Sequence, residues 1–138
     1  MDEKKVYKRE EGALRKKSYE FAIRTVNMVS FLRKERGEHV LTKQVLRSGT
    51  AIGALVREAE FAQSAADFSN KLEVALKEAN ETEYWLQLLW DTKYIVDEHA
   101  YYSMMEDCGQ LIALLVASIK TSKKNNSGRR ETRDENVL

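Results

Sequence analysis

Few side chains in this sequence are suited to chemistry: one cysteine, Cys108; two histidines, His39 and His99; and a run of carboxylates, Glu73, Glu78, Glu81 and Glu83. A thiol can be a nucleophile, a histidine spaced from a glutamate can hold a metal, and paired carboxylates can move protons when burial separates their pKa values. The spacings argue against all three. Di-iron bundles use Glu-x-x-His because positions i and i+3 project toward one metal, yet Arg36 and Val96 stand three residues before the two histidines. No His-Glu-x-x-His occurs, and Gly49 and Gly53 lack the Lys-Ser/Thr sequel of a phosphate-binding loop. Cys108 falls on an apolar stripe, as a small buried hydrophobe would. The histidines fall near helix ends, in exposed or capping positions, and Glu78 and Glu81 fall on a solvated or inter-subunit face. The expectation is a protein with no catalytic residue, no metal and no cofactor: not an enzyme.

Composition narrows the class. Lys and Arg number 23 against 22 Asp and Glu, a net charge of +1 over 138 residues, so any attraction to nucleic acid must come from where charges sit. The chain is one-domain size, and 43% apolar with 33% charged residues is too hydrophobic for disorder and too charged for a membrane protein. Proline is absent, which favours long uninterrupted helices. The longest apolar run, residues 111–117, is seven long against the roughly 20 a spanning helix needs. A lone cysteine and a charged N-terminus without a secretory pattern predict a cytoplasmic location and no membrane partner.

Periodicity predicts four helices. The first runs over about 14–35, with an apolar stripe of Tyr19, Ala22, Ile23, Val26, Val29 and Ser30, and Gly37 as its stop. The second covers about 43–63, with Thr42 as N-cap and Val45, Leu46, Gly49, Ile52, Val56 and Ala59 on one stripe. Two mid-helix glycines cost about 1 kcal/mol each relative to Ala, so Gly49 and Gly53 call for the close approach of another backbone. The third helix starts at the Ser64-x-x-Asp67 cap and carries a heptad-like seam: Phe68, Leu72, Ala75, Ala79, Thr82, Leu86 and Leu89. The fourth starts at Asp97 and extends to about 123, with Tyr101, Met104, Met105, Cys108, Leu111, Ile112, Leu115 and Ile119 on its stripe. Residues 1–13 read as a flexible arm, 14–124 as the bundle and 125–138 as a disordered polar tail. Short connections predict an all-α, antiparallel up-down-up-down four-helix bundle.

Two surfaces follow. Trp85 and Leu88 fall off the third helix's seam and form a second apolar face which, with the Gly49/Gly53 ridge, is a candidate oligomer interface. Glu58 joins them, as an interface ion pair or as an ordinary surface residue. In an up-down bundle the start of the first and third helices and the end of the second and fourth share a pole. That pole collects Arg15, Lys16, Lys17, Arg57, Lys71, Lys120, Lys123 and Lys124, partly countered by Glu60 and Asp67. Repeated around a ring it would form a positive collar for RNA or DNA phosphates.

The strings Arg47-Ser48-Gly49-Thr50-Ala51-Ile52-Gly53-Ala54, Glu58-Ala59, Ser64-Ala65-Ala66-Asp67-Phe68 and Leu76-Lys77-Glu78-Ala79-Asn80-Glu81-Thr82-Glu83-Tyr84-Trp85-Leu86 resemble the four-helix-bundle family of 23S rRNA intervening-sequence proteins, also called S23 ribosomal-like. The resemblance extends over about residues 14–122, and one departure is Leu55, where the family carries Asn. It implies a non-enzymatic homopentamer, barrel-like, with a central channel. It also implies kinship in fold with the accessory protein of diversity-generating retroelements, hence two alternatives: a nucleic-acid-binding assembly, or a protein-interaction module that docks a reverse transcriptase or another protein.

Overall fold

The computed structural model describes the backbone of residues 12–137 and the side chains of 12–125, so the expected N-terminal arm lies outside the described residues up to position 11. Four helices make the fold: α1 (Ala13–Arg36), α2 (Leu41–Glu60), α3 (Ala65–Asp91) and α4 (Glu98–Val137). No strand occurs among the described residues. Each helix packs on two neighbours in the cyclic order α1, α2, α3, α4; neither diagonal pair, α1 with α3 or α2 with α4, is in contact. A single core of side chains from all four helices fills the centre, from Phe21 and Leu32 through Ile52, Leu72 and Leu86 to Leu111 and Leu115.

Local chemistry sets the helix ends. Gly37 adopts the left-handed region at φ 64, and its N–H donates to the Arg33 carbonyl, closing α1. At the next start Thr42 is not the cap expected of it; it lies inside α2, fully buried. The cap is Glu38, whose buried carboxylate accepts from the backbone N–H of Val40 (3.1 Å), Leu41 (2.8 Å) and Thr42 (2.8 Å). The carboxylate stands two to four residues before these donors and folds forward over the helix start to satisfy them. Ser64 caps α3 as expected, accepting from Asp67 N–H at 3.0 Å, while Asp67 accepts from Gln63 N–H at 3.2 Å. Asp97 caps α4 through Ala100 N–H at 3.2 Å.

The seam of α3 and the stripe of α4 are buried as the period requires. The α1 stripe is not. Tyr19, Ile23 and Val26 are 54%, 46% and 45% exposed, and the core face is instead Ser18, Phe21, Thr25, Val29 and Leu32. Hydropathy misleads here because the α2 surface opposite is made of glycines. A Cβ on Gly49 would stand 2.7 Å from Thr25 Cγ2, and one on Gly53 would stand 3.2 Å from the Ser18 carbonyl oxygen. Small polar side chains fit that narrow gap, and Thr25 satisfies its own hydroxyl on Phe21 O at 2.8 Å.

The last helix also differs from expectation. It is continuous to Val137, through the stretch read as a disordered tail. The stretch after residue 124 has no proline and one glycine, so it holds no strong helix breaker beyond Gly128. At 40 residues it measures about 60 Å, half as long again as the 27-residue α3.

Two measurements test these contacts. Gly49→Ala gains helix propensity but drives a methyl into stiff, buried Thr25, for a net loss of about 1–2 kcal/mol in urea denaturation. Gly109→Ala, in α4 with nothing within 4 Å of the added Cβ, instead gains up to about 1 kcal/mol.

The second concerns acid. Burial alone would raise the Glu38 pKa, but the backbone donors at Leu41, Thr42 and Val40 outweigh it and hold the carboxyl below its usual 4.5. Its contribution is therefore complete above pH 4.5 and fades as pH falls through the lower folded-state value. Glu38→Ala costs about 1–2 kcal/mol at pH 7, and the gap to wild type narrows as denaturation is repeated toward pH 3.

Candidate interaction surfaces

Of the basic residues expected to share one pole of the bundle, most are engaged. Arg15 lies 3.6 Å from Glu60, Lys71 3.8 Å from Glu58 and Lys123 2.6 Å from Glu73. Lys17 donates to Gln110 Oε1 at 2.9 Å, and the Arg57 guanidinium sits 5.1 Å over the Tyr19 ring. Lys16, Lys120 and Lys124 are exposed and make no ion pair among the described residues. The field of this pole is thus weaker than a count of its cations suggests.

Of the candidate interface residues, the glycine ridge faces inward. Gly49 and Gly53 receive α1 of the same chain, so the close approach they require is satisfied within the fold. Glu58 is exposed, paired loosely with Lys71. Trp85 and Leu88 are half-buried on α3; Trp85 packs on the core and meets the exposed Tyr84 edge-on at 4.9 Å. Leu55, at the family's Asn position, is half-buried and packs on the core.

A polar network missed by sequence reasoning spans α2 and α3. Arg47 donates from Nη1 to Glu78 Oε2 at 2.9 Å and from Nη2 to Glu81 Oε1 at 2.6 Å, and Trp85 Nε1 donates to the same Glu81 oxygen at 3.2 Å. The hydrogen bond from Arg47 holds the Glu81 carboxyl below its usual range against opposing desolvation, with Trp85 adding to the effect. Beneath it, the buried Thr82 hydroxyl lies 2.8 Å from Ser48 Oγ and 2.7 Å from Glu78 O. Both carboxylates thus anchor Arg47 across the α2–α3 contact. The signal for Arg47 was its place opposite a Glu-x-x-Glu on the facing helix.

At the other end of the bundle a cavity of about 390 Å³ opens between α1, the α3–α4 connection and the start of α4. Met28, Phe31, Tyr94, Val96 and Met104 line its apolar wall. Phe31 and Val96 are 55% and 59% exposed. An apolar Tyr94-Ile95-Val96 string in a turn was its mark in the sequence. Among the described residues no group of three or more His, Cys, Asp or Glu could hold a metal, and no helix is long and apolar enough to cross a membrane.

The fold and these surfaces define an all-α four-helix-bundle protein whose described polar clusters are packing and surface features. Residues 10–117 match the model of the 23S rRNA-intervening sequence protein family, and the chain belongs to that family. It is similar to a protein of unknown function from the S23 ribosomal protein family of Bacteroides thetaiotaomicron VPI-5482, solved as a crystal structure at 1.70 Å. The two are 56% identical, with a TM-score of 0.76 over 78% of this chain and 99% of the other. No curated protein matches the chain at a significant level.

Cys108 gives a direct test of the packing. Its Sγ lies 3.3 Å from Ala79 O, fully buried, and desolvation, with smaller contributions from Glu83 and Asp107, pushes its pKa up to about 12. A thiol-specific chromogenic reagent at pH 8 should therefore label native protein at least about 100-fold more slowly than protein in urea, since the thiolate is the reactive form.

Proposed function

We propose that this protein is a non-enzymatic scaffold of the cytoplasm, an antiparallel up-down-up-down bundle that assembles with copies of itself, as a pentameric ring, and presents its basic pole to RNA or DNA. The pairings support the antiparallel part: Ser18 meets Gly53 while Thr25 meets Gly49, and Glu58 meets Lys71 while Arg47 meets Glu81. The observation that carries self-assembly is the exposed stripe of Tyr19, Ile23 and Val26, large apolar side chains in one row that a monomer leaves wet. The family's name links it to 23S rRNA intervening sequences, and Lys16, Lys120 and Lys124 supply free cations for phosphates.

A second reading, a module that docks a protein such as a reverse transcriptase, is favoured by the apolar cavity around Phe31 and Val96. Protein partners prefer such aromatic-lined recesses, and phosphates do not.

Light scattering coupled to size exclusion should give a multiple of 15.9 kDa, five for a pentamer; a monomer at micromolar concentration refutes self-assembly. For the pole, Lys16→Gln/Lys120→Gln/Lys124→Gln should weaken RNA and DNA binding at least about tenfold at low salt with the assembly intact. Wild-type affinity should fall steeply between about 50 and 200 mM salt. Unchanged binding by the triple variant refutes the collar; no binding by wild type at low salt leaves the docking-module reading in its place.

A further inference from the structure

The cavity between α1, the α3–α4 connection and the start of α4 has apolar side chains standing at and beyond its mouth. Phe31 and Val96 are more than half exposed, as is Tyr102 beside them on α4, and Tyr94 is partly so. The aromatic wall behind them is fixed: Tyr101 stacks on Trp90 at 4.8 Å and meets Tyr102 edge-on at 5.2 Å. A small molecule seated in the cavity would leave that rim wet. A chain segment that sets one bulky side chain inside and lies across the rim covers both.

Charge around the cavity, counted after the pairs the chain makes for itself, is negative. Arg24, the cation in the wall, is taken: its Nη1 donates to Asp107 at 2.5 Å and to Ser103 Oγ at 3.0 Å. Asp97 also lines the wall and accepts only from Ala100 N–H, which leaves its charge without a cation. Asp91 sits in a recess that shares Ile95 and Val96 with the cavity. Glu98 and Glu106 line another, with Tyr102 and the same Ser103 that Arg24 bonds. None of these four carboxylates is in an ion pair among the described residues. Against them the two recesses hold Lys93 and His99, while on the next turn of α1 after Phe31 Lys34 and Glu35 offset each other. The field is felt inside the wall, where burial first, then Asp91, Tyr102 and Glu83, raise the Tyr101 phenol above its ordinary pKa.

We infer that this cavity receives a basic peptide segment of a protein partner, an apolar anchor side chain flanked by lysine or arginine. The inference rests on the docking-module reading above and names the chemistry of its partner. The anchor fills the apolar wall, and the flanking cations reach the carboxylates of the two adjoining recesses or lie over the exposed tyrosine rings. Nucleic acid is the wrong occupant here, since its phosphates would face four carboxylates. The charge pairs form at an exposed rim, so they decide which segment docks, and the anchor holds it.

Short labelled peptides with one Trp-Leu anchor, flanked by lysines, by serines or by glutamates, test this in fluorescence anisotropy titrations with the full chain. The lysine peptide should bind saturably and at least about tenfold more tightly than the serine peptide, with the glutamate peptide weaker still. Its affinity should fall as salt rises from about 50 to 300 mM. Asp91→Asn/Glu98→Gln/Glu106→Gln should shrink the lysine-to-serine gap below about threefold and leave the serine peptide unchanged. Phe31→Ala/Val96→Ala should weaken both peptides at least about tenfold. All five positions are exposed, and circular dichroism with size exclusion confirms fold and assembly state; a variant that loses its melt is replaced by Glu106→Gln or Phe31→Ala alone. A serine peptide that binds as tightly as the lysine peptide, or a gap that the charge variant leaves intact, overturns the basic segment while the docking reading stands. A lysine peptide whose affinity Phe31→Ala/Val96→Ala leaves unchanged is held elsewhere, and the proposal falls. If wild type binds none of the three peptides, the docking reading falls with it.

Discussion

The distance between α1 and α2 is the constraint on which the rest of the bundle depends. Gly53 admits the Ser18 backbone and Gly49 admits the Thr25 side chain, so the two helices approach more closely than any larger residues would allow. Helices at ordinary spacing interlock large side chains; here the contact is made by glycine, serine and threonine, and the large apolar residues of α1 are turned elsewhere. Phe21, Val29 and Leu32 reach the core from one side of that row, while Tyr19, Ile23 and Val26 are left on the surface. A feature that looks like an economy of packing inside the fold thus leaves a row of large apolar side chains on the surface.

The same row explains what could be read from sequence. The α3 seam was legible because cap, period and residue type agree: Ser64 and Asp67 start the helix, and six of the seven seam positions are buried. On α1 type and position conflict. Ser18 and Thr25 look like surface residues and are buried, because what faces them is glycine, and only the paired helix reveals this. Glu38 was illegible as a cap for a related reason. Its reach to Val40, Leu41 and Thr42 depends on how residues 38–40 enter the helix, a path the sequence does not state.

The surface was legible as a census and not as a field. Eight basic residues are expected at one pole from topology, yet three carboxylates that meet members of that set, Glu60, Glu58 and Glu73, come from side-by-side helices whose register the sequence does not state. Arg47 illustrates the converse: an exposed arginine becomes part of a defined network once two glutamates one helical turn apart on α3 face it. Pairs this exposed contribute less than about 1 kcal/mol each. Their effect is on where side chains stand, and so on which charges remain free to meet another molecule.

The seam between α1 and α4 is the lightest of the four; apolar side chains of both helices join the common core, and polar bonds cross at its exposed edge: Arg24 to Asp107 and Ser103, Lys17 to Gln110. It is also the only helix contact between elements that are not consecutive in the chain. The other three join sequence neighbours, so most of the native contacts form without closing a long loop, the condition under which bundles fold fast. Bringing the first helix against the last closes the full length of the domain, through shared core side chains and a rim of half-exposed hydrogen bonds. With the fewest close backbone approaches of the four seams, that junction is a natural line of cleavage for local opening.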